Sequence, residues 1–281
     1  MFKNILKSTF WFVLYLLASV IGVVLASTGK LLTSGTEIMK SINDPVAFEQ
    51  IVTESVMSSA VPGLLLATII CIIVFLAYKG IMKHPVDMKN IEWKKLLFFS
   101  GVGGVLNAVL SFALSALYSF FPESMIESLQ ESTDMVTEGQ SFWILLLCTG
   151  ILVPIMEEII FRYGIHGIIA RSNLAVAYVV SSVIFGVMHG NVIQGAYATL
   201  LGLILAYVYT RTENLWYPIM IHMTINSTSV VATAASSEVF ALLATLAISL
   251  IVVIALFATS EDIRSVFNKK EFCIEEKKEI D

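Results

Sequence analysis

The sequence predicts an all-α, polytopic membrane protein with about eight transmembrane helices and both termini in the cytoplasm. Of its 281 residues, 57% are hydrophobic and only 14% are charged, and the mean hydropathy is +0.84. Soluble domains contain about 25% charged residues, so this composition excludes an ordinary soluble domain. Runs of roughly 20 apolar residues, the length that spans a bilayer, recur along the whole chain.

Eight apolar runs are each expected to form one helix. They cover residues 9–29, 60–78, 96–121, 141–163, 174–190, 192–210, 214–232 and 239–259. Lys3 and Lys7 precede the first run, Arg171 follows the fourth and Arg211 follows the sixth. Because Lys and Arg are retained on the cytoplasmic side, these ends and both termini are expected to face the cytosol.

The loops follow the same alternation of charge. The loop at 79–95 contains five Lys residues, whereas the loop at 122–140 contains five acidic residues and neither Lys nor Arg. We therefore expect the first loop to be cytoplasmic and the second to be external. The chain has no basic stripe that would indicate a nucleic-acid partner, and the lipid bilayer is its expected environment.

The first run has features of a secretory signal, since cations precede it and Ala26-Ser27 resembles a cleavage site. Its apolar part is longer than the about 7–15 residues usual for a signal, so a retained anchor is favoured. With this anchor, residues 1–281 form a single membrane-embedded domain that ends in a cytosolic tail at 261–281.

The two outer loops, 30–58 and 122–140, contain apolar residues at helical spacing. This spacing predicts short amphipathic helices lying at the membrane interface. The alternative is a pair of flexible, solvated loops.

The fourth run contains two adjacent carboxylates, Glu157 and Glu158. A charge buried at a helix centre in hydrocarbon costs on the order of 3 kcal/mol or more, so such residues are candidates for a functional site. Adjacent helical residues point about 100° apart, so the two acids need different partners. Glu158 and Arg162 are an i, i+4 pair that can neutralise each other. The alternative role for this pair is an ion pair that only fixes helix packing.

Glu157 then faces elsewhere, without a partner in its own part of the sequence. Desolvation favours the neutral form of an acid, and this makes a carboxylate a useful general base near neutral pH. Pro154, just before the two acids, is expected to kink the helix and open room for water or substrate.

Two histidines lie in the same apolar region. His189 closes the fifth run, one helical turn after Phe185, where the alternative role is a capping residue at the end of a span. In the seventh run, His222 and Asn226 are four residues apart and can share a helix face. Two such groups can donate to one oxygen, as a developing oxyanion requires. The alternative role for them is an interhelical polar clamp.

Other hydrolytic chemistries fit this sequence less well. Zinc is the main rival, because two His and one Glu from three helices can make a three-ligand site, although no His-Glu-x-x-His occurs. There is no Gly-x-Ser-x-Gly elbow, neither Cys71 nor Cys148 adjoins a His, and Asp occurs only in loops and the tail. No disulfide is expected.

Three motifs follow one another within residues 141–232: Glu157-Glu158-x-x-x-Arg162, Phe185-x-x-x-His189 and His222-x-x-x-Asn226. As a set they resemble the CAAX protease and bacteriocin-processing family, also called CPBP or Abi. The resemblance implies that Glu157 and His189 activate water, and that His222 and Asn226 form the oxyanion hole. It also implies that Glu158 and Arg162 support the site, and that residues 141–232 are the catalytic core. With this implied assignment, catalysis without a metal or cofactor becomes the favoured reading over zinc.

Helix depth poses a geometric requirement for this site. Counted from the cytosolic ends at about 1.5 Å per residue, Glu157, His189 and His222 fall about 20, 24 and 13 Å deep. Kinks at Pro154 and Pro218, or a tilted fifth helix, must bring the three side chains together.

We therefore expect a metal-independent, glutamic-type intramembrane endopeptidase in a bacterial plasma membrane. Its expected substrates are membrane-associated peptides or proteins, such as a bacteriocin leader or a signalling-peptide precursor, in self-immunity or peptide maturation. A non-catalytic immunity or scaffold protein that binds a peptide or a membrane partner is the alternative.

Overall fold

A computed structural model describes residues 2–81 and 91–268. These residues form helices joined by short connections, and no strand occurs among them. The predicted all-α class is therefore confirmed. Most of the Lys-rich loop and the tail beyond Asn268 lie outside the described residues, so their predicted cytosolic location stays a prediction.

The helices are numbered here in chain order. They are α1 (Phe2–Thr33), α2 (Gly35–Ser41), α3 (Pro45–Met57), α4 (Ala60–Ile81), α5 (Trp93–Leu117), α6 (Glu123–Thr137), α7 (Phe142–Ile169), α8 (Leu174–Val187), α9 (Val192–Thr212), α10 (Trp216–Ala234), α11 (Glu238–Thr259) and α12 (Glu261–Asn268).

Helices occupy all eight predicted apolar runs, and six helical segments of the described chain are long and apolar enough to cross a bilayer. Of the two remaining runs, α8 has only 14 residues and spans about 21 Å, less than the roughly 30 Å of a hydrocarbon core. The other, α10, has 19 residues, but its His, Asn, Ser and Thr side chains lower its hydropathy. Together the helices define a multi-pass membrane protein.

The predicted short helices of the outer loops are present as α2, α3 and α6. Asp44 caps α3 by accepting hydrogen bonds from the backbone N–H groups of Val46 and Ala47, and Pro45 occupies the first turn, where its missing N–H costs nothing. Since α6 contains no buried residue, it is a surface helix.

Helices α1 and α4 pack closely together and against α7. A Cβ on Gly22 would collide with the carbonyl oxygen of Gly63, so glycine permits this crossing of α1 and α4. A Cβ on Gly164 of α7 would likewise collide with the Trp11 ring of α1. The Tyr15 ring of α1 lies edge-on to Phe161 of α7, with centroids 5.6 Å apart. The N-terminal half of α1 therefore packs against residues 161–164, in the C-terminal half of α7.

Helix α7 departs from regular α geometry on both sides of Pro154. Two stretches, Leu146–Leu152 and Ile159–His166, are π-helical. Such stretches are rare in proteins and occur frequently at functional sites. Pro154 lies between these two stretches, and the kink expected there stays a prediction.

Polar side chains of α10 donate hydrogen bonds to backbone carbonyls of the first π-helical stretch. Pro154 has no N–H to offer the carbonyls that precede it by one turn. Asn226 donates to the carbonyl oxygen of Thr149 at 3.0 Å, and Ser227 donates to that of Gly150 at 3.1 Å. These bonds fix α10 beside α7.

A short turn joins α8 to α9 and carries His189. Gly190 adopts a left-handed conformation there, with φ of 70°, which glycine accepts without strain. Asn191 caps α9 by accepting from the N–H groups of Ile193 and Gln194. Its amide also donates to the Ser128 hydroxyl of α6 at 3.1 Å, so α6 lies over this turn.

Candidate active site

Two buried acids on α7 form the centre of the site. Glu157 is 7% exposed, and both Glu158 and Arg162 are 0% exposed. Arg162 Nε lies 3.0 Å from Glu158 Oε2, which is the i, i+4 contact that the sequence spacing predicts. The guanidinium also lies over the Phe185 ring, 4.9 Å from its centroid, a distance typical of cation–π attraction. Arg162 thus contacts one carboxylate and one aromatic face within the apolar core.

His222 of α10 stands between the two carboxylates. Its Nδ1 lies 3.0 Å from Glu158 Oε1, which is a good hydrogen bond, and its Nε2 lies 3.6 Å from Glu157 Oε2, which is too long for one. An ionised carboxylate only accepts hydrogen bonds, so Nδ1 is the donor toward Glu158. This bond fixes the ring orientation and turns Nε2 toward Glu157.

Phe185 of α8 joins the remaining histidine to this cluster. Its ring centroid lies 4.9 Å from that of His189 and 5.7 Å from that of His222, edge-on to both. The Phe-x-x-x-His spacing accounts for the contact with His189, and the packing of α8 against α7 and α10 brings the same ring to Arg162 and His222.

The His189 side chain is oriented by its own helix. Its Nδ1 lies 2.8 Å from the Phe185 carbonyl oxygen, and because a carbonyl only accepts, Nδ1 carries the hydrogen. In a neutral imidazole, Nε2 is then the free acceptor. His189 is only partly buried, so this acceptor suits a proton-accepting role.

Some predicted partners are not in direct contact. Within the described residues, no hydrogen bond or ion pair joins Glu157 to His189, and His222 is the histidine within 4.0 Å of Glu157. Asn226 directs one amide hydrogen to the Thr149 carbonyl, which is the polar clamp that the sequence left open. Its amide nitrogen has a second hydrogen that this bond does not use.

The structure adds His166, which the sequence reasoning did not select. It is 1% exposed and follows Arg162 by four residues. Its Nε2 lies 2.9 Å from the Thr210 hydroxyl of α9, and its Nδ1 lies 3.5 Å from the Ser181 hydroxyl of α8. His166 therefore ties α8 and α9 to the helix that carries the acids. The spacing of four residues from Glu158 to Arg162 is repeated from Arg162 to His166, and this repeat could have indicated from the sequence that His166 belongs to the same buried polar face.

Among residues 2–81 and 91–268, no group of three or more His, Cys, Asp or Glu side chains converges as metal ligands do. The contacts of the two acids are instead with His222 and Arg162.

Comparisons with known proteins agree with this architecture. Residues 139–228 match a family described as type II CAAX prenyl endopeptidase Rce1-like. A Bacillus subtilis (strain 168) protein named "Putative membrane peptidase YdiL" is 25% identical over 157 residues, which are 56% of this chain and 64% of that protein. The UPF0177 protein YxdF of Lactococcus lactis subsp. lactis (strain IL1403) is 28% identical over 166 residues, 57% of this chain and 89% of that protein. No solved structure matches.

Fold and site define a multi-pass α-helical membrane protein whose core holds a cluster of two carboxylates, a guanidinium and an imidazole. The matched segment, 139–228, coincides with the region of the three motifs. The resemblance to the CAAX protease family that the motifs predict is therefore confirmed over this segment. The alignment spans 64% of the Bacillus protein, which is less than two thirds of its length.

Proposed function

We propose that this protein is an intramembrane endopeptidase that hydrolyses peptide bonds of membrane-associated peptides. One observation carries the proposal. Inside an apolar helical core, the imidazole of His222 lies between two buried carboxylates. Its Nδ1 is 3.0 Å from a Glu158 oxygen and its Nε2 is 3.6 Å from a Glu157 oxygen. Such a cluster is expensive in hydrocarbon, and general acid–base chemistry gives a reason to keep it.

In the proposed mechanism, Glu157 takes a proton from water as the water oxygen attacks the peptide carbonyl. Its carboxylate is less constrained than that of Glu158, which is held by Arg162 and His222. His189 offers Nε2 to the same water, because its Nδ1 hydrogen is bonded to the Phe185 carbonyl. The proton then moves to the leaving amine as the C–N bond breaks.

The oxyanion of the tetrahedral intermediate needs donors. His222 supplies one of them when both ring nitrogens carry hydrogen, because Nδ1–H bonds Glu158 and Nε2–H is left for the oxyanion. The second amide hydrogen of Asn226 is the other donor.

The proposed substrates are small membrane-associated peptides, such as a bacteriocin leader or a signalling-peptide precursor, and the proposed location is a bacterial plasma membrane. The test uses purified protein in liposomes and a set of peptides with a fluorophore and a quencher on either side of an apolar segment. Mass spectrometry of the fragments identifies the cleaved bond.

Glu157→Gln keeps the size of the side chain and removes its basicity. Cleavage of the best peptide should fall by at least about 100-fold, the usual contribution of a general base. Glu127→Gln, the same change on the exposed face of α6, is the matched control and should retain wild-type activity. Full activity of Glu157→Gln would refute the glutamate mechanism.

Two further outcomes are informative. Hydroxylamine added during turnover should give no hydroxamate product, because water attacks the peptide directly. A hydroxamate would indicate an acyl-enzyme and a nucleophilic side chain. Saturable binding of peptides without any cleavage would favour the alternative, a non-catalytic immunity or scaffold protein.

A further inference from the structure

The turn between α8 and α9, which carries His189, ends inside the helix bundle. Helix α8 has 14 residues and packs against the C-terminal part of α7, so its end lies about 21 Å along α7 from the connection that joins the two helices. Glu157 lies about 18 Å along α7 from the same connection. The turn and the acids are therefore at about the same depth, in agreement with the contacts of the Phe185 ring with both His189 and His222.

The two other helices of the site continue beyond this depth. From Glu157 back to its beginning at Phe142, α7 extends for about 22 Å. Helix α10 runs beside it in the opposite direction, since His222 lies beside Glu157 and the later Asn226 donates to the earlier Thr149 carbonyl. The site thus lies at the bottom of a space that α7 and α10 border, and this space faces the side of the membrane at which α7 begins.

Helix α6 covers this space. It precedes α7 in the chain and contacts both α4 and α9. Its Ser128 hydroxyl accepts a hydrogen bond at 3.1 Å from the amide of Asn191, two residues after His189. Among the described residues, this is the side-chain hydrogen bond that links α6 to the rest of the protein. Asn191 is only 6% exposed although it belongs to a turn, so α6 closes over the turn on this side.

The attachment of α6 is nevertheless weak. None of its residues is buried, and its apolar side chains, such as Ile126 and Leu129, stay partly exposed. Segments that bury few apolar side chains open at low free-energy cost. The helix is flanked by Pro122 and Gly139, and Gly139 has a left-handed φ of 70° with no atom within 4 Å of the position of a Cβ. Helix α6 can therefore move about its two ends without a clash at Gly139.

We infer that α6 is a lid on the site, that the bond between Ser128 and Asn191 is its latch, and that peptides reach His189 from the face of the membrane on which α6 lies. This inference rests on the proposed peptidase function. A closed lid keeps bulk water from the reacting groups, and it must open to admit a peptide and to release the products. Since the charge pattern predicts the loop at 122–140 to be external, the expected substrates are peptides that reach the outer side of the bilayer.

Ser128→Ala removes the latch and keeps Asn191 as the cap of α9. Amide hydrogen exchange of α6, measured by mass spectrometry in detergent, should become about 2-fold to 10-fold faster, the value of one neutral hydrogen bond. Ser132→Ala is the matched control in the same helix, because the Ser132 hydroxyl donates to the Leu129 carbonyl of α6 itself. Equal exchange in the two variants would overturn the inference, whether or not the protein cleaves peptides.

A reversible crosslink tests whether the lid must open. In a background in which Ser replaces Cys71, Cys148 and Cys273, Ser128→Cys and Asn191→Cys place two thiols at the latch. A short bis-methanethiosulfonate reagent joins these thiols, and a reducing agent separates them. The crosslink should lower kcat/KM for the peptide that wild-type protein cleaves best by at least about 10-fold, because a peptide enters only when the lid opens. The same protein before crosslinking is the reference, and reduction should restore its rate.

A matched control places the reagent on α6 without tying the helix down. Gln130→Cys and Asp134→Cys replace two residues of α6 whose side chains approach to 3.5 Å, and their crosslink should leave kcat/KM unchanged. Full activity of the crosslinked latch pair, or failure of that pair to crosslink, would overturn the inference and leave the peptidase proposal intact. If wild-type protein cleaves no peptide, the proposed function fails, and a lid on a peptidase site fails with it.

Discussion

Arg162→Met should destabilise the protein strongly, because it removes the cation from a fully buried ion pair. Arg162 and Glu158 are both 0% exposed, and Arg162 Nε is 3.0 Å from the carboxylate. Breaking a buried pair by removing one partner costs about 3–5 kcal/mol, since the remaining charge is left uncompensated. At about 2–4 °C per kcal/mol, the scale of a soluble domain of similar size, the melting midpoint should fall by about 6–20 °C.

The chain supplies its own reporters for this measurement. Cys71 is 0% exposed and Cys148 is 4% exposed, so both thiols are protected until the helices separate. A maleimide dye that fluoresces on reaction with a thiol then follows unfolding in detergent as the temperature rises. Replacing Cys273 with Ser beforehand leaves only the two buried reporters.

A double-mutant cycle separates the ion pair from the loss of packing. Glu158→Gln alone should also destabilise, since it leaves Arg162 uncompensated and weakens the hydrogen bond from His222. Adding Arg162→Met to Glu158→Gln should then cost much less than it does in the wild type. Strict additivity would refute the ion-pair argument. An unchanged midpoint with lost activity would instead assign Arg162 to substrate binding.

The other predictions concern the metal and the topology. Purified protein should contain no stoichiometric zinc and keep its peptidase activity after extensive chelation; loss of activity that is restored only by added zinc would contradict this. In a background lacking Cys71, Cys148 and Cys273, a cysteine at Ser124 should react with a membrane-impermeant thiol reagent on whole cells. A cysteine at Lys94 should react only after the membrane is broken, and the reverse labelling would invert the protein.

Sequence periodicity was sufficient for the helices and for contacts within one helix. Each apolar run became a helix because hydrocarbon leaves the backbone no other partner than itself. The contact between Glu158 and Arg162 followed from a spacing of four residues. The position of His222 between the two acids could not be predicted in this way, because it depends on the axial position of α10 relative to α7. The residue spacing within either helix does not determine that position.

The depth of the histidines shows why simple counting fails. Counted from the cytosol, His189 and His222 differ by about 11 Å, yet both rings contact Phe185. Part of the reason is that α10 begins inside the protein: Asn214 and Leu215, just before it, are 5% and 0% exposed. Counting from the end of the apolar run does not anticipate that α10 starts in the protein interior.

Pro154 gives the site its second architectural constraint. It supplies no N–H to the carbonyls one turn earlier, and Asn226 and Ser227 of α10 donate to the Thr149 and Gly150 carbonyls. Side chains of α10 thus provide hydrogen-bond donors beside the proline, where the backbone of α7 lacks one, and these bonds link α7 to α10. His222 lies one turn before Asn226 on α10. The hydrogen bond from Asn226 to the Thr149 carbonyl therefore also fixes the axial position of α10 that brings His222 to the two acids. A polar clamp and an oxyanion donor are therefore compatible roles for Asn226, because its two amide hydrogens can serve one role each.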